Sequence, residues 1–216
     1  MFIHHVSMRF SESYLIEFDQ NLVLVDAGIP GLENRILERI DHLNHSNLKI
    51  ILITHAHYDH YGSAAALRNL TGAKIAIHTA DAAAITKGKT CLGSSKGRGK
   101  IVSSFLLILE KMYPLTPTPP DIVLKDGDQL NINGTGCKVI HTPGHTMGSC
   151  TYIFKEQYAF VGDLISNNGK PHVQKYFAQN WSLLTLSIQL IKSSNPRWIY
   201  TGHGKKPLNQ AELQRL

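Results

Sequence analysis

The chain has 216 residues, a formal net charge of +6 at pH 7 and 43% hydrophobic residues, which is typical of a globular protein whose core needs no disulfides. No apolar run approaches the roughly 18 residues of a membrane-spanning helix, so we exclude an integral membrane protein. The first residues lack the basic and apolar regions of a secretory signal. Cys91, Cys137 and Cys150 show no metal-type spacing and suit a reducing compartment, which predicts a cytoplasmic protein.

Much of the positive charge is concentrated in one stretch, between positions 87 and 111. The basic residues there are Lys87, Lys89, Lys96, Arg98, Lys100 and Lys111. A charge run of this kind is compatible with a solvated loop and with a track for an anionic partner, and both interpretations stay open.

The first half of the chain alternates strand and helix patterns. Two apolar segments, 13–18 and 21–25, flank a polar turn and predict an antiparallel hairpin. Apolar residues at helical spacing from Leu32 to Leu43 predict a helix, and a strand that ends at Thr54 follows. Further along we predict a helix over 62–70, a strand over 74–78 and a helix over 79–86.

Positions 87–120 interrupt this alternation. Residues 87–100 are rich in Gly, Ser and Lys and predict a mobile loop, whereas 101–113 predicts a helix that the following prolines end. Four apolar residues fall near one face of this helix: Ile101, Phe105, Ile108 and Met112. We interpret the block as a helical, lid-like insertion or pocket wall. A plain surface excursion and a dimer contact are the alternatives.

The second half continues with strands and one long helix. We predict strands over 121–125, 136–141, 150–155, 158–161 and 197–201, a helix over 179–194, and a short final helix capped by Asn209. Strands that alternate with helices, together with hairpins, indicate an α/β sandwich of mixed sheets covered by helices. We expect a single domain, 1–216.

The segment Thr54-His-Ala-His-Tyr-Asp-His60 directly follows an apolar strand and presents four potential metal ligands: His55, His57, Asp59 and His60. Burying such polar groups without partners costs about 2–7 kcal/mol each, whereas one divalent cation satisfies several of them. His55 and His57 are two residues apart, so an extended backbone directs both side chains to the same side. The segment therefore predicts a metal site, of the open kind that serves catalysis.

Three more candidate ligands follow predicted strands. His145 follows a Pro-Gly pair, Asp163 follows a glycine, and His203 lies between two glycines. Glycine permits sharp turns and close approach of the backbone at such positions. The chain thus presents seven His and Asp side chains at strand ends.

In this order the motifs closely resemble those of the metallo-β-lactamase superfamily, over nearly the whole chain. The resemblance implies a four-layer αββα sandwich with the site at one edge, between the two sheets. It also implies two divalent metal ions, with zinc as the first expectation and iron and manganese as alternatives. Carried over by position, the ligands of one ion are His55, His57 and His145, those of the other are Asp59, His60 and His203, and Asp163 bridges them.

Asp26 matches an acidic residue that members of this superfamily place after an early strand. We expect its carboxylate to orient a metal ligand through a hydrogen bond. A strand-end turn residue is the alternative.

Departures from the motifs of individual branches narrow the activity that the resemblance implies. Common class B lactamases place a cysteine at the position of Asp163, diiron oxygen reductases place a glutamate at that of His57, and ribonuclease Z-like enzymes usually place a glycine at that of Tyr58. The full histidine-rich set is most similar to the glyoxalase II and lactonase branches.

Even these two branches match incompletely. Leu164 stands where quorum-type lactonases place a tyrosine after the bridging aspartate. Because only thirteen residues follow His203, we expect the helical region with which glyoxalase II grips glutathione to be missing. Lys205 and Lys206 could still contact an anion.

The resemblance implies a hydrolase that cleaves an ester, a thioester or a lactone. The nucleophile would be a hydroxide that bridges the two metal ions, and Asp59 is the candidate catalytic residue that orients the water or moves its proton. Two alternatives stay open: a phosphodiesterase or nuclease on the same metals, and a mononuclear-iron enzyme like the sulfur dioxygenases. The expected substrate is a small molecule, with an anionic one as an option; nucleic acid and oligomeric state are left open.

Further aromatic and histidine side chains are secondary candidates. Those that could donate to a substrate oxygen, with plain packing as the alternative, are Tyr58, Tyr61, His172 and Tyr176. We expect the remaining histidines to be surface or hydrogen-bonded polar residues: His4, His5, His42, His45, His78 and His141.

Overall fold

The computed structural model describes residues 1–19, 21–44, 47–97 and 99–216, without the side chain of Val102. In chain order the strands are β1 (Phe2–Ser7), β2 (Glu12–Phe18), β3 (Asn21–Val25), β4 (Leu48–Leu52), β5 (Lys74–His78), β6 (Ser94–Ser95), β7 (Ile122–Leu124), β8 (Gln129–Ile132), β9 (Thr135–His141), β10 (Cys150–Phe154), β11 (Tyr158–Phe160), β12 (Ile165–Ser166), β13 (His172–Val173), β14 (Phe177–Ala178), β15 (Trp198–Tyr200) and β16 (Leu208–Asn209). The helices are α1 (Glu33–His42), α2 (Tyr58–Tyr61), α3 (Ala64–Thr71), α4 (Thr79–Thr86), α5 (Gly99–Met112), α6 (Trp181–Ser194) and α7 (Gln210–Gln214).

The first of two six-stranded sheets comes from the N-terminal half of the chain and has the order β1-β2-β3-β4-β5-β7. The pairs β1–β2 and β2–β3 are antiparallel, which confirms the predicted hairpin. The strands from β3 through β4 and β5 to β7 are parallel. Because parallel strands end at the same edge of a sheet, the segments after β3, β4 and β5 meet at one edge.

The second sheet has the order β16-β15-β11-β10-β9-β8 and comes from the C-terminal half of the chain. It is antiparallel except for β11 and β15, which pair in parallel. The chain therefore leaves β11 and β15 at the same edge of this sheet. Two short ribbons, β12–β13 and β14–β6, complete the pairing among the described residues.

Apolar side chains fill the spaces between successive layers. The inner faces of the two sheets pack on each other around large buried residues such as Phe154. Ile36 of α1 and Leu67 of α3 cover the outer face of the first sheet. Leu184 of α6 and Leu213 of α7 cover the second sheet. This order of helices, sheet, sheet and helices confirms the four-layer αββα sandwich.

The insertion at 87–120 contains the predicted helix, which begins at Gly99, earlier than predicted. The segment predicted as a mobile loop includes β6, which pairs with β14; its Arg98 lies outside the described residues. The two ends of the apolar face predicted for the helix point outward, since Ile101 is 74% exposed and Met112 is 63% exposed, whereas Phe105 in the middle packs against Phe10. Leu109, outside the predicted face, packs on the core.

The helix predicted over 62–70 is confirmed as α3, and a short helix that was not predicted, α2, precedes it. The chain forms α2 from Tyr58 and then α3 from Ala64, so Asp59 and His60 lie within a helical turn. The sequence pattern did not predict β1, β8 or β16, which are short or partly polar strands at the edges of the sheets. The predicted cap of the last helix is confirmed, since the side chain of Asn209 accepts from the Glu212 backbone N–H.

No helix in the described part of the chain has the length and apolar character needed to cross a membrane.

Candidate metal centre

All seven predicted ligand side chains meet at one edge of the sandwich, where loops from both sheets converge. The segment after β4 carries His55, His57, Asp59 and His60, and the loop between β9 and β10 carries His145. Asp163 lies in a single 3-10 turn after β11, and His203 follows β15. Because β11 and β15 are parallel neighbours, these two side chains leave the second sheet side by side.

The seven side chains form two adjoining groups. The His145 cluster consists of His55, His57, His145 and Asp163, and the Asp59 cluster consists of Asp59, His60 and His203; in each, the candidate ligand atoms lie within 4.8 Å of one another. Asp163 contacts both groups. Its Oδ2 lies 3.5 Å from His145 Nε2 and 3.0 Å from His203 Nε2, and its Oδ1 lies 3.3 Å from His60 Nε2.

The rings of His57 and His145 present unprotonated nitrogens to each other. His57 donates from Nε2 to the carbonyl of Cys91, and His145 donates from Nδ1 to the carbonyl of Phe177, both at 3.0 Å. A carbonyl only accepts, so in the neutral rings the remaining nitrogens, His57 Nδ1 and His145 Nε2, carry lone pairs. These two atoms are 3.0 Å apart. Two buried lone pairs at this distance repel unless a cation lies beside them.

The rings of His55 and His60 are oriented in the same way. His60 Nδ1 donates to Asp26 Oδ2 at 2.8 Å. The Thr54 hydroxyl donates its single proton to Asp26 and therefore accepts from His55 Nδ1, at 3.0 Å. In neutral rings both Nε2 atoms then carry lone pairs directed into the site. Among the described residues, these Nε2 atoms and Asp163 Oδ1 are buried without a hydrogen-bond partner.

The donor set fits divalent metal ions. Buried polar atoms are nearly always paired, so several unpaired polar atoms at one point fit a site that binds a cation. Imidazole nitrogens and carboxylate oxygens are good ligands for zinc, and iron and manganese accept the same set. In ligating histidines the second ring nitrogen usually donates to a carbonyl or carboxylate, as it does in His57, His60 and His145.

The protonation of the histidines follows from burial and from Asp163. Burial lowers the pKa of His55 and of His57 and brings the pKa of His145 to about 3, so these rings stay neutral. Burial also opposes the charged forms of His60 and His203, but the nearby carboxylates, Asp163 foremost, together outweigh it. The pKa of His60 is held well above its usual value, and that of His203 is raised to about 9. Without metal, two protons thus stand beside Asp163 where cations would otherwise neutralise it.

Two buried aspartates hold the ligand loops in place. Asp26 accepts from the backbone N–H of Thr54 as well as from His60. Asp81, at the start of α4, accepts from the backbone N–H of Ala56 and Gly148 and from the Thr146 hydroxyl, each at 2.8 Å. Asp81 therefore ties the loop of His55 and His57 to the loop of His145. Sequence reasoning missed it, although an acidic residue in a helix beside the ligand strand was a usable signal.

The secondary candidates do not present free polar groups to the cavity over the metal centre. The Tyr58 hydroxyl donates to the Tyr113 carbonyl at 3.0 Å, and the Tyr61 hydroxyl donates to the Lys89 carbonyl at 2.9 Å. Both are committed to tying the insertion to α2, which favours the packing alternative. The residues that line the cavities beside the site do not include His172 or Tyr176.

The remaining described histidines lie outside the candidate metal centre. Among those with described partners, His78 stacks on His141, and His4 and His5 pair with glutamates. His45 lies outside the described residues.

A cavity of about 310 Å³ opens over the metal centre, and its lining is predominantly apolar. His57, Asp59, Asp163 and His203 form its floor, and its walls are Phe10, Leu92, Phe105, Leu106 and Phe177. Phe105 and Leu106 belong to α5, so the insertion forms one wall of this cavity.

Comparison with known proteins agrees with this geometry. The family model described as the metallo-beta-lactamase superfamily matches residues 7–203. The hydroxyacylglutathione hydrolase GloC of Haemophilus influenzae is 27% identical over 162 residues, which are 73% of this chain and 67% of that protein. A probable metallo-hydrolase of Methanocaldococcus jannaschii is 25% identical over 206 residues, 90% of this chain and 88% of that protein.

Among solved structures, the BLEG-1 B3 metallo-beta-lactamase has a TM-score of 0.77 and 22% identity, with coverage of 100% of this chain and 97% of that one. At this identity the likeness shows the fold alone. With the family model spanning most of the chain, the conclusion is that this protein belongs to the metallo-β-lactamase superfamily.

Proposed function

We propose that the chain acts as one metallo-hydrolase domain, 1–216, and cleaves a thioester, an ester or a lactone. The observation that carries this proposal is the convergence of buried nitrogen and oxygen atoms of His55, His60 and Asp163, all without a hydrogen-bond partner, beneath an apolar cavity. Several relatives are named hydroxyacylglutathione hydrolase, which makes thioesters the first candidates. The aligned region covers 49% of one of these, that of Aeromonas hydrophila, so the substrate itself is part of the proposal.

In this proposal His55, His57 and His145 hold one divalent ion, and Asp59, His60 and His203 hold the second. Asp163 would join the two sites, because its carboxylate contacts His145 of one group and both His60 and His203 of the other. Bound there, two divalent ions would lower the pKa of a water molecule and polarise a substrate carbonyl. Zinc is the proposed metal, since these nitrogen and oxygen donors suit it.

Asp59 is the proposed proton acceptor. Its Oδ2 lies 3.6 Å from His203 Nε2, at the floor of the apolar cavity. A carboxylate in this position can orient the attacking water and accept its proton at Oδ2. With a substrate in the cavity, the apolar walls that include Phe105 and Phe177 would displace water and strengthen the electrostatic interactions in the site.

The test is a substrate panel on protein purified without chelator. Thioesters, aryl esters, lactones and bis-p-nitrophenyl phosphate are compared before EDTA treatment, after it, and after addition of zinc, manganese or iron. We expect thioester or lactone hydrolysis to exceed phosphodiester hydrolysis, to be lost with EDTA and to return with metal. Predominant phosphodiester hydrolysis would instead establish the nuclease alternative.

The variant Asp59→Asn tests whether the Asp59 carboxylate takes part in the reaction. We expect a loss of about 10²–10⁴-fold in kcat for this variant. The matched control is Asp41→Asn, an exposed aspartate on α1, which should keep full activity. Equal activity of both variants would remove Asp59 from the mechanism.

A further inference from the structure

We propose that the substrate has two different arms: an apolar arm on one side of the scissile carbonyl and a negatively charged arm on the other. That this ligand is a substrate rests on the proposed function. The inference itself comes from two cavities of opposite character that adjoin the metal centre and share Phe10 and His203.

The apolar arm is assigned to the cavity over the metal centre. Its volume of about 310 Å³ is that of a small pocket, and its walls expose mainly carbon atoms. α5 supplies Phe105 and Leu106, and Phe177 comes from the ribbon strand β14. Such walls bind an aliphatic or aromatic acyl group through burial of apolar surface, at about 25 cal/mol per Å².

The charged arm is assigned to the neighbouring cavity, of about 490 Å³. Three cations line it, namely Arg9, Lys205 and Lys206. In the described part of the chain none of the three forms an ion pair. The carboxylate in this cavity, Glu12, is buried and already paired with His5. The cavity therefore presents positive charge that lacks an anion.

The backbone segments that carry these three cations are tied by hydrogen bonds to the candidate metal ligands Asp59 and His203. The Ser11 hydroxyl donates to the Asp59 carbonyl, so the turn with Arg9 is tied to the Asp59 cluster. The backbone N–H of Asn167 donates to the His203 carbonyl at 2.7 Å, and its side-chain amide donates to the Lys206 carbonyl at 2.8 Å. These cations would therefore hold a bound anion at a fixed distance from the metal centre. Because the backbone is already ordered, binding would cost less conformational entropy.

Phe10 stands between the two cavities. Its ring meets that of Phe105 in an edge-on contact, with centroids 6.4 Å apart, so the turn at 8–11 and α5 join over the site. A substrate that fills both cavities must pass Phe10 and His203. The scissile group then lies over the metal centre while the charged arm extends beyond His203.

The experiment measures binding of thioethers, which cannot be hydrolysed, to the metal-loaded protein by calorimetry. The probes are 3-(hexylthio)propanoate, 2-(hexylthio)ethyl phosphate, the neutral 3-(hexylthio)propanamide and the short 3-(methylthio)propanoate. We expect at least one charged hexyl probe to bind about tenfold more tightly than the amide, and the hexyl carboxylate to bind more tightly than the methyl one. The tighter of the two charged probes identifies the anion as a carboxylate or a phosphate.

Variants locate the two arms. Arg9→Gln and Lys206→Gln should each weaken the charged probe about fivefold and leave the amide unchanged. Lys74→Gln is the control, because Lys74 begins β5 at the end of the strand away from the site. Phe105→Ala should reduce the preference for hexyl over methyl. Ile101→Ala, an exposed residue of the same helix outside the cavity lining, should not.

Each outcome decides one claim. Equal affinity of the amide and both charged hexyl probes, or equal effects of Arg9→Gln and Lys74→Gln, overturns the charged arm. Equal affinity of hexyl and methyl carboxylates overturns the apolar arm. If the preferences hold but no thioester, ester or lactone is hydrolysed, the proposed function fails while the binding site stands.

Discussion

His57 and His145 face each other with ring nitrogens 3.0 Å apart, and both rings are turned this way by hydrogen bonds from their other nitrogens to backbone carbonyls. In a buried site this arrangement is unfavourable for the protein alone and favourable with a cation beside it. The fold thus constrains the ligands before any metal binds.

Asp26→Asn should weaken metal binding although it replaces none of the candidate ligands. Asp26 accepts from the Thr54 backbone N–H, the Thr54 hydroxyl and His60 Nδ1, whereas an amide would turn N–H groups toward some of these donors. We expect the affinity of the Asp59 cluster to fall about 10–100-fold, measured by competition with a chromophoric chelator. Asp41→Asn is the matched control, and identical affinities of the two variants would contradict the role given to Asp26.

Asp81→Ala should destabilise the protein even without metal. The change leaves the buried backbone N–H groups of Ala56 and Gly148 unpaired, and the Thr146 hydroxyl keeps only its contact with Ser149. We expect the free energy of unfolding of the metal-free protein to fall by about 3 kcal/mol in urea titrations. Asp41→Ala should change it by less than about 0.5 kcal/mol. A similarly small effect for Asp81→Ala would show that the two loops are held by other contacts.

Gly202→Ala should disturb the centre through sterics alone. A Cβ at this position would lie 2.3 Å from Asp163 Oδ1 and 2.6 Å from His60 Cε1. We expect lower metal content, and a fall in activity on the order of 10²-fold, because displaced ligands misplace the reacting groups. Gly136→Ala is the control, since a Cβ there meets no atom within 4 Å. Wild-type metal content in Gly202→Ala would contradict the close packing around Asp163.

The thiols should be unreactive in the folded protein. Burial, with Asp81 nearby, raises the pKa of Cys91 to about 12, and burial raises the pKa of Cys137 and Cys150 as well. Because the thiolate is the reactive form, only about 10⁻⁴ of Cys91 is reactive at pH 8. Ellman's reagent should label the folded protein far more slowly than glutathione, and all three cysteines on unfolding. Rapid labelling of the native protein would contradict this.

The candidate ligands could be found from the sequence because each follows a predicted apolar strand. A polar side chain at the end of a buried strand needs a partner, and a metal ion is one such partner. His55 and His57 after the run at 49–53 are the clearest example. The resemblance to the metallo-β-lactamase superfamily, carried by the order of the motifs, then implied the αββα sandwich. The acceptors that orient the rings could not be found, since they are the backbone carbonyls of Cys91 and Phe177, and every residue carries such a carbonyl.

The insertion shows a second limit. Helical spacing identified α5 but not which side of it faces the protein, because Ile101 and Met112 are as apolar as Leu106 and Leu109. Contacts from distant parts of the chain decide this, notably the Phe10 ring against Phe105. Contacts between distant parts of the chain also decide the role of the Tyr58 and Tyr61 hydroxyls, which the sequence alone leaves open. Their acceptors are carbonyls far along the chain, in the insertion.

The most direct test of the account is the metal content per chain, measured by mass spectrometry of protein purified without chelator, for the wild type, His57→Ala and His42→Ala. Two clusters joined by Asp163 predict about two divalent ions in the wild type and in His42→Ala, whose histidine is exposed on α1. They predict about one ion in His57→Ala, with activity lost. A wild type without metal, or with a single iron that His57→Ala retains, would contradict the account.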